Sequence, residues 1–334
     1  MKISQATSNR IQLLRAIAIV AVVAIHVVYF APNEIAVRPW INFSVGLFIF
    51  LAGYLTTYSL EKKTNIQSVG RKLLRVVVPY LIWSVIYTMY HGSYHTFLYS
   101  LLTGQCCAVF YYLLVYMQLV VVLPITIWLL RSKFSWVGFV VTPLAITIEY
   151  WLNLHGIAVI YPWNINNLFV WYTFFYLGMY LRNRTEPILV MRGRSQLYCW
   201  SVGLIGAIAL EGLEAKKWNE YGRYDMATTA VTLSSMLLTI MVCFFAYSWM
   251  MANETKLISN SKGILCLGLS LGQSSFGIYL IHSLVGEAMG QAFSVWYQFP
   301  RPIILLLEVF ISWGIVVLGQ FIFRKRFGRW IGFY

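Results

Sequence analysis

Six ionisable side chains lie inside otherwise apolar stretches of the sequence, and they are the residues best able to do chemistry there. They are Arg15, His26, Arg75, Glu149, His282 and Glu308. Ionisable groups within a membrane-spanning segment are energetically costly, so they usually serve a function or pair with one another. Histidine takes or releases a proton near neutral pH, and arginine holds anions. The set therefore favours proton transfer beside an anion-binding group.

Arg15 and His26 are eleven residues apart in one apolar stretch. Eleven residues make almost three turns of an α-helix, so both side chains point from one face, about 16 Å apart along the axis. The slim residues Ala18, Ile19 and Val22 lie between them on that face. Alternatively, Arg15 reaches lipid headgroups and His26 makes an interhelical hydrogen bond.

Three basic residues, Arg71, Lys72 and Arg75, open another apolar stretch. Arg71 and Arg75 are one helical turn apart and share a face. Together with Arg15, the three predict a cationic mouth able to hold a phosphate or diphosphate, a task suited to the guanidinium fork. The alternative is that these charges only contact lipid phosphates.

His282 is predicted near the outer end of its helix, with Tyr279 and Ser275 on the same face at helical spacing. Glu149 and Glu308 are predicted at comparable depth, in the outer half of their helices. Together with His26 they would line an outward-facing polar cavity, although each alone equally fits a structural contact. Asn164 and Asn167 are typical partners of sugar hydroxyls and also typical helix caps. We interpret His95 as a solvated loop residue.

Composition excludes a soluble protein. The 334 residues are 60% hydrophobic and only 11% charged, whereas soluble domains carry about a quarter charged residues. Disorder requires low hydrophobicity and high charge, so it is excluded too. The net charge of +14 suggests nucleic acid at first, but the charges lie between long apolar runs rather than on one basic face. The five cysteines show no metal-ligand spacing.

The apolar runs predict an all-α, polytopic integral membrane helical bundle with about ten transmembrane helices. The predicted spans are roughly 11–30, 41–60, 73–90, 108–130, 137–154, 166–182, 196–210, 227–251, 263–285 and 302–323. With these spans, most lysines and arginines fall on the side of the membrane that holds the N-terminus. Arg15 lies within a span, and five lie on the opposite side: Arg38, Lys216, Lys217, Arg223 and Arg301. The positive-inside rule therefore predicts that both termini are cytoplasmic. Residues 1–334 are expected to form a single domain without a separate soluble domain.

Several segments, taken in order and spacing, resemble the membrane-bound acyltransferase 3 family over nearly the whole chain. They are RAIAIVAVVAIH (15–26), LFIFLAGYL (47–55), RKLLRVVVPY (71–80), YYLLVYMQLVVVLP (111–124), WYTFFYLGMYL (171–181) and SSFGIYLIH (274–282). In the second segment, Ala52 replaces the family's usual serine, so that serine is not expected to be a nucleophile here. The resemblance is closest to the branch that acylates exopolysaccharides and other cell-surface glycans.

The resemblance implies transfer of an acyl group, most commonly acetyl, from cytoplasmic acyl-CoA to a hydroxyl of an extracytoplasmic or lipid-linked carbohydrate. It implies a multi-pass protein of the bacterial cytoplasmic membrane, with acetyl-CoA as co-substrate and no metal. Arg15 and His26 match the family's signature residues, and Arg75 matches the second arginine of its basic pair. For the first member of that pair, Lys72 keeps the spacing and Arg71 keeps the residue type.

These residues suggest a division of roles in acyl transfer. The CoA phosphates are assigned to Arg15, Arg71, Lys72 and Arg75. His26 is the general base for the acceptor hydroxyl, and Tyr279, His282 and Glu308 are candidates for orienting the acceptor or His26. Glu149, Asn164 and Asn167 are candidates for binding the acceptor. An acyl-His26 intermediate is the alternative mechanism.

Two other functions fit the intramembrane charges. A transporter or flippase for a glycan or lipid-linked sugar also needs ionisable groups in its helices, but it does not need a cationic mouth aligned with His26. A non-catalytic scaffold in an export complex would tolerate substitution of Arg15, His26 and Arg75. None of the three functions, acyltransferase, transporter or scaffold, requires nucleic acid as a partner.

Overall fold

The computed structural model describes residues 3–28, 34–56, 66–157, 159–184, 194–251, 262–323 and 325–334. Some basic residues used to predict the orientation therefore lie outside the described residues: Lys2, Lys62, Lys63, Arg192, Lys256 and Arg324. The side chains of Arg194, Lys262, Lys325 and Arg326 are likewise outside the description.

All regular secondary structure in those ranges is helical. The α-helices are α1 (Gln5–Val28), α2 (Arg38–Ile41), α3 (Phe43–Leu55), α4 (Ile66–His91), α5 (Phe97–Thr103), α6 (Tyr111–Val121), α7 (Leu123–Arg131), α8 (Val137–Leu154), α9 (Tyr172–Arg182), α10 (Arg194–Glu220), α11 (Tyr224–Thr228), α12 (Leu233–Met251), α13 (Lys262–Gln273), α14 (Ser275–Ala292), α15 (Arg301–Ile322) and α16 (Lys325–Trp330). The predicted all-helical fold class is confirmed for the described part of the chain.

Helix α1 lies at the centre of the bundle and packs against α3, α12, α13, α14 and α15. Its sequence is rich in alanine, valine and isoleucine, so neighbouring helices can approach it from several sides. Ile11 and Leu14 belong to one apolar core, with α3, α9 and α12. Ile19 and Val23 belong to a second core, with α4, α14 and α15. A residue on α1 that lies between these two packed faces can therefore point into a space between the two apolar cores.

Fewer helices than predicted have the length and composition of a complete membrane span. Six long apolar segments qualify among the described residues, or seven if the bent pair α13–α14 counts as one. The predicted count of ten is thus not confirmed, because several predicted spans are short or broken helices. α9 has 11 residues, and α3 is described over 13, with 57–60 of its predicted span outside the described residues. The sides of the termini stay a prediction.

Two predicted boundaries differ from the structure. The predicted span 108–130 is divided at Val122, and the long apolar segment in this region is instead Tyr94–Val121. The predicted short span 196–210 continues as helix through Glu220. Glu211 does not end it because its carboxylate is buried and accepts a hydrogen bond from the Ser234 hydroxyl at 2.5 Å. A satisfied buried carboxylate can continue a helix that the charge pattern alone would end.

Helices α13 and α14 form one apolar stretch that bends by 81° at its break. Gly272 makes close packing of α13 on α1 possible, because a β-carbon there would overlap the Gln12 carbonyl oxygen. Irregular backbone at membrane depth is tolerated where it is buried in protein or lines a cavity. Gln273 and Ser275, which flank the break, line the cavity described below.

Close packing of α3 on α9 depends on two glycines, and it gives a first testable prediction. A β-carbon at Gly178 would overlap the Phe50 carbonyl oxygen, and one at Gly53 would overlap the Phe175 carbonyl oxygen. The variant Gly178→Ala is expected to force the helices apart and to lower the free energy of unfolding by about 1–3 kcal/mol. Thermal unfolding in detergent would measure this loss.

The matched control is Gly206→Ala, because a β-carbon at Gly206 on α10 meets no atom within 4 Å. This change is expected to be neutral or to stabilise the helix by up to about 1 kcal/mol. Equal melting temperatures for the Gly178→Ala variant and the wild type would show that α3 and α9 are not closely packed.

Candidate active site

A single cavity of about 1010 Å³ contains both signature residues of α1. Arg15 and His26 are both among its lining residues, together with Val22 between them. Both side chains are partly buried. The predicted common face of the helix is therefore the face that borders the cavity, and the cavity follows α1 over the roughly 16 Å between the two residues.

One end of the cavity, which we call the arginine end, carries cations from two helices. Arg15 comes from α1, and Lys72 and Arg75 come from the first three turns of α4. The Arg15 guanidinium is near enough to the Tyr112 and Tyr116 hydroxyls to interact with them electrostatically. No aspartate or glutamate lines the cavity among the residues described. Such a cluster of cations is suited to phosphate groups.

The broken helix and the last described segment also border the arginine end. Ser275 and Phe276, in the first turn of α14, line the cavity. The N-terminus of a helix carries a partial positive charge, which adds to the positive potential there. Arg329 also lines the cavity. It joins the arginine end because the residues that follow it pack nearby: a β-carbon at Gly332 would touch Phe276, and the Trp83 indole donates to the Ile331 carbonyl at 2.9 Å.

A row of aromatic rings connects the arginine end to His26. Successive ring centroids are 6.4 Å apart between Tyr116 and Tyr112, and 5.4 Å apart between Tyr112 and Tyr279. The row continues over 6.2 Å from Tyr279 to His282 and 5.3 Å from His282 to His26. All of these rings except His282 line the cavity. The wall between the two ends is thus aromatic and carries hydroxyl groups.

The other end, which we call the histidine end, contains His26 with polar side chains from the short α2 region and from loops. Arg38, Asn42, Tyr111 and Tyr161 line the cavity here. The Asn42 amide donates to the Thr228 carbonyl at 3.1 Å, which fixes its position. Burial raises the pKa of the Tyr161 hydroxyl to about 12. This protonated phenol lies 3.4 Å from the Thr103 and Gly104 carbonyl oxygens, which accept its hydrogen.

Arg38 is held in place by a buried carboxylate. Its guanidinium forms an ion pair with Glu34, whose side chain is almost fully buried. The Tyr224 hydroxyl donates to the other oxygen of Glu34 at 2.7 Å. The carboxylate is thereby bound on both oxygens, and Arg38 has a fixed anchor at the histidine end of the cavity.

A family model describing an acyltransferase domain, acyltransferase 3, matches residues 8–324. The chain belongs to the acyltransferase 3 family. Membership supports an acyltransferase activity, and together with the long apolar helices it supports a multi-pass membrane protein. Comparison with curated proteins and with solved structures gave no match. Arg329 lies beyond the matched residues.

In this acyltransferase 3 protein, the structure separates the residues that sequence analysis left as alternatives in the basic pair. Lys72 lines the cavity, whereas Arg71 is exposed and is not a lining residue. The assignment of Arg71 to the phosphate site is therefore not supported. Lys72 and Arg75 are three residues apart, so they share a face of α4, and both line the cavity.

Tyr279 and His282, which were predicted to orient the acceptor or His26, differ in their access to the cavity. Tyr279 lines the cavity, and its hydroxyl donates to the Val109 carbonyl. His282 is fully buried and lies behind His26 rather than on the cavity wall. Of the two, only Tyr279 can therefore contact a molecule in the cavity.

The two glutamates predicted as site residues, Glu149 and Glu308, do not line the cavity. The Glu308 carboxylate packs over Gly286, at a point where a β-carbon would overlap its Oε1 atom. Glu149 is on the inner face of α8 in a different polar cluster, where its carbonyl accepts from the Asn153 amide at 2.9 Å and Arg223 donates to the Asn153 side chain at 2.8 Å. Their predicted roles in the site stay predictions, and neither side chain borders the cavity.

The asparagines before α9 serve the loop backbone. Asn164 Oδ1 accepts from the Ile165 amide at 2.7 Å, and Asn167 Oδ1 accepts from the Phe169 amide at 3.0 Å. Asn167 thus caps the short helical turn Leu168–Val170. Neither asparagine lines the cavity, and their role in binding an acceptor stays a prediction. The same loop contributes Tyr161 and Ile165 to the cavity wall.

Sequence analysis missed Arg38, Arg329 and Asn42 as site residues. Arg38 was one of the few basic residues outside the set that the sequence predicts to be cytoplasmic, which is a signal that could have singled it out. Arg329 resembled an ordinary positive-inside charge, and no local pattern distinguishes it. In the described part of the chain, no three histidine, cysteine, aspartate or glutamate side chains are grouped so as to hold a metal ion.

Proposed function

We propose that this protein transfers an acyl group, most simply acetyl, from acyl-CoA to a carbohydrate hydroxyl, with His26 as the general base. The observation that carries the proposal is that one cavity contains both a cationic cluster and His26. Acyl transfer needs a donor site, a base and an electrostatic partner for developing negative charge. The cavity offers a candidate for each of them.

The donor would bind at the arginine end. The phosphates of CoA carry several negative charges, and Arg15, Lys72, Arg75 and Arg329 supply cations with no lining carboxylate to compete. The pantetheine arm is long, narrow and uncharged, with polar amides along its length, so it suits the passage lined by Tyr116, Tyr112 and Tyr279. The thioester would then reach His26. This arrangement implies that the arginine end faces the cytoplasm, as the predicted orientation requires.

The acceptor would enter at the histidine end, where the Arg38 guanidinium and the Asn42 amide offer hydrogen-bond donors. His26 removes the proton of the acceptor hydroxyl while its oxygen attacks the thioester carbonyl. The carbon–sulfur bond then breaks, and the proton on His26 passes to the departing thiolate, which leaves as CoA–SH. Arg38 is the charged donor available to the tetrahedral oxyanion.

Two alternatives predict different products. An acyl-His26 intermediate would form before the acceptor binds, so it predicts radiolabel retained on the protein in the absence of an acceptor. A glycan transporter would move the acceptor without modifying it. The four cations at the arginine end favour the transferase, because a neutral sugar pathway has no use for a phosphate-binding cluster.

The decisive experiment uses the purified protein in vesicles with radiolabelled acetyl-CoA and a candidate cell-surface glycan. Acyl-CoA-dependent label in the glycan, released by mild alkali as acetate, is the expected result. Glycan translocation without any label, across a panel of glycans and acyl-CoA donors, would support the transporter and overturn the transferase.

The basic pair gives a prediction with a built-in control. Lys72→Ala is expected to raise the KM for acetyl-CoA about tenfold, because it removes a charged contact from the phosphate site. Arg71→Ala, one residue away and exposed, is expected to change KM less than about twofold. The measurement is initial rate against acetyl-CoA concentration. A larger effect of Arg71→Ala than of Lys72→Ala would contradict the placement of the donor phosphates.

A further inference from the structure

The ring behind His26 carries an unusual arrangement of hydrogen bonds. His282 is fully buried on α14, and its centroid is 5.3 Å from that of His26. Its Nδ1 atom lies 2.9 Å from the Tyr279 carbonyl oxygen and 3.2 Å from the Ile278 carbonyl oxygen. A carbonyl oxygen only accepts, so Nδ1 must carry the hydrogen of this ring.

This backbone contact determines the state of the opposite nitrogen. In a neutral imidazole with hydrogen on Nδ1, the Nε2 atom has a free lone pair and acts only as an acceptor. Among the described residues, Nε2 of His282 is buried and has no hydrogen-bond partner. A buried acceptor without a partner is costly, so a donor is expected to reach it in the working state.

The neighbouring ring can supply that donor. A ring nitrogen lies about 1.1 Å from the centroid of an imidazole, so a centroid distance of 5.3 Å lets two facing nitrogens approach to about 3 Å, which is hydrogen-bond distance. His26 lies between His282 and the cavity. An N–H of His26 directed at His282 would leave the other His26 nitrogen, with its lone pair, directed at the cavity.

We propose that His282 is a positioning residue that accepts a hydrogen bond from His26 through Nε2 and thereby holds His26 in the tautomer that can act as a base. This inference rests on the proposed function and deepens it. The chain of interactions runs from the carbonyls of α14 through His282 to His26 and then to the acceptor hydroxyl. No covalent bond to His282 forms or breaks, because His26 alone receives the proton.

Two near-isosteric variants test the role, because each keeps a different half of the imidazole. His282→Gln can place an amide oxygen near the position of Nε2 and so keep the acceptor for His26. His282→Asn can keep an N–H near the position of Nδ1, and with it the backbone bond, but it loses the acceptor. His282→Leu removes both.

We expect kcat to fall about 10- to 100-fold in His282→Asn and His282→Leu, with the KM for acetyl-CoA within about twofold of the wild type. His282→Gln is expected to retain kcat within about fivefold. Melting temperatures of all four proteins in detergent would show whether folding contributes, and the Gln–Asn comparison remains decisive if His282→Leu does not fold.

The opposite ranking, in which Asn retains kcat and Gln loses it, would mean that His282 serves the fold through its backbone bond and would overturn the inference. Equal kcat in all four proteins would overturn it too, while leaving the transferase proposal intact. A wild-type protein without any acyltransferase activity would instead refute the proposed function itself.

Discussion

Replacing His26 by alanine is expected to reduce acyl transfer by about 10²- to 10⁴-fold, which is the range that a general base contributes. The side chain lines the cavity and is the only histidine among its lining residues in the described part of the chain. Without it, the acceptor hydroxyl keeps its proton and attacks the thioester poorly. The measurement is kcat with radiolabelled acetyl-CoA in vesicles, with protein amount and insertion checked in the same preparation.

The control is His95→Ala, because His95 is an exposed residue of the loop region after α4 and does not line the cavity. It is expected to retain wild-type activity. His26→Gln separates basicity from shape, since it keeps a polar side chain of similar size, and it is expected to be as inactive as His26→Ala. Full activity of His26→Gln would exclude His26 as the base.

Arg15→Ala is expected to have the second-largest effect, a fall of about 10- to 100-fold in kcat/KM for acetyl-CoA. The loss follows from the removal of a charged hydrogen-bond donor, worth about 1.5–3 kcal/mol, from a site that holds several negative charges. Most of the change is expected in KM, because the phosphates are bound equally in the ground state and the transition state. Steady-state kinetics at saturating acceptor would measure it.

A truncated donor makes this prediction specific. S-acetyl-pantetheine keeps the thioester but lacks the nucleotide phosphates, so the wild type and Arg15→Ala are expected to use it at similar rates. Arg131→Ala is the matched control, since Arg131 is an exposed arginine outside the cavity. If Arg15→Ala slowed the reaction with both donors equally, Arg15 would act on the reacting groups or on the fold rather than on the phosphates.

The orientation of His26 is where prediction from sequence succeeded most fully. The spacing between Arg15 and His26 requires a common face in any α-helix, whatever surrounds it. The cavity runs along that face. The choice between Lys72 and Arg71, by contrast, depended on how far α4 is rotated relative to α1. Rotation is set by packing partners distant in sequence, so local pattern cannot determine it.

Long-range contacts also explain why two predicted site residues do not line the cavity. Glu149 and Glu308 have the composition of site residues, since each is an acid in an apolar helix, yet each faces other helices rather than the cavity. The position of a residue along its helix can be read from the sequence. The direction in which its side chain points relative to a cavity cannot, because it depends on how the helix is rotated against its neighbours. The number of spans was overestimated for a related reason: hydropathy does not register a break such as those at Val122 and Ser274.

The amino-acid sequence by itself determined the helical class, the central face of α1 with Arg15 and His26, and the family. These follow from local composition, helical periodicity and an ordered set of motifs. Only the tertiary structure decided that Arg38 and Arg329 join the same cavity and that His282 stands behind His26. The physical reason is that these groups are brought together by contacts between helices far apart in the chain, and the free energy of such packing depends on surfaces that no single segment contains.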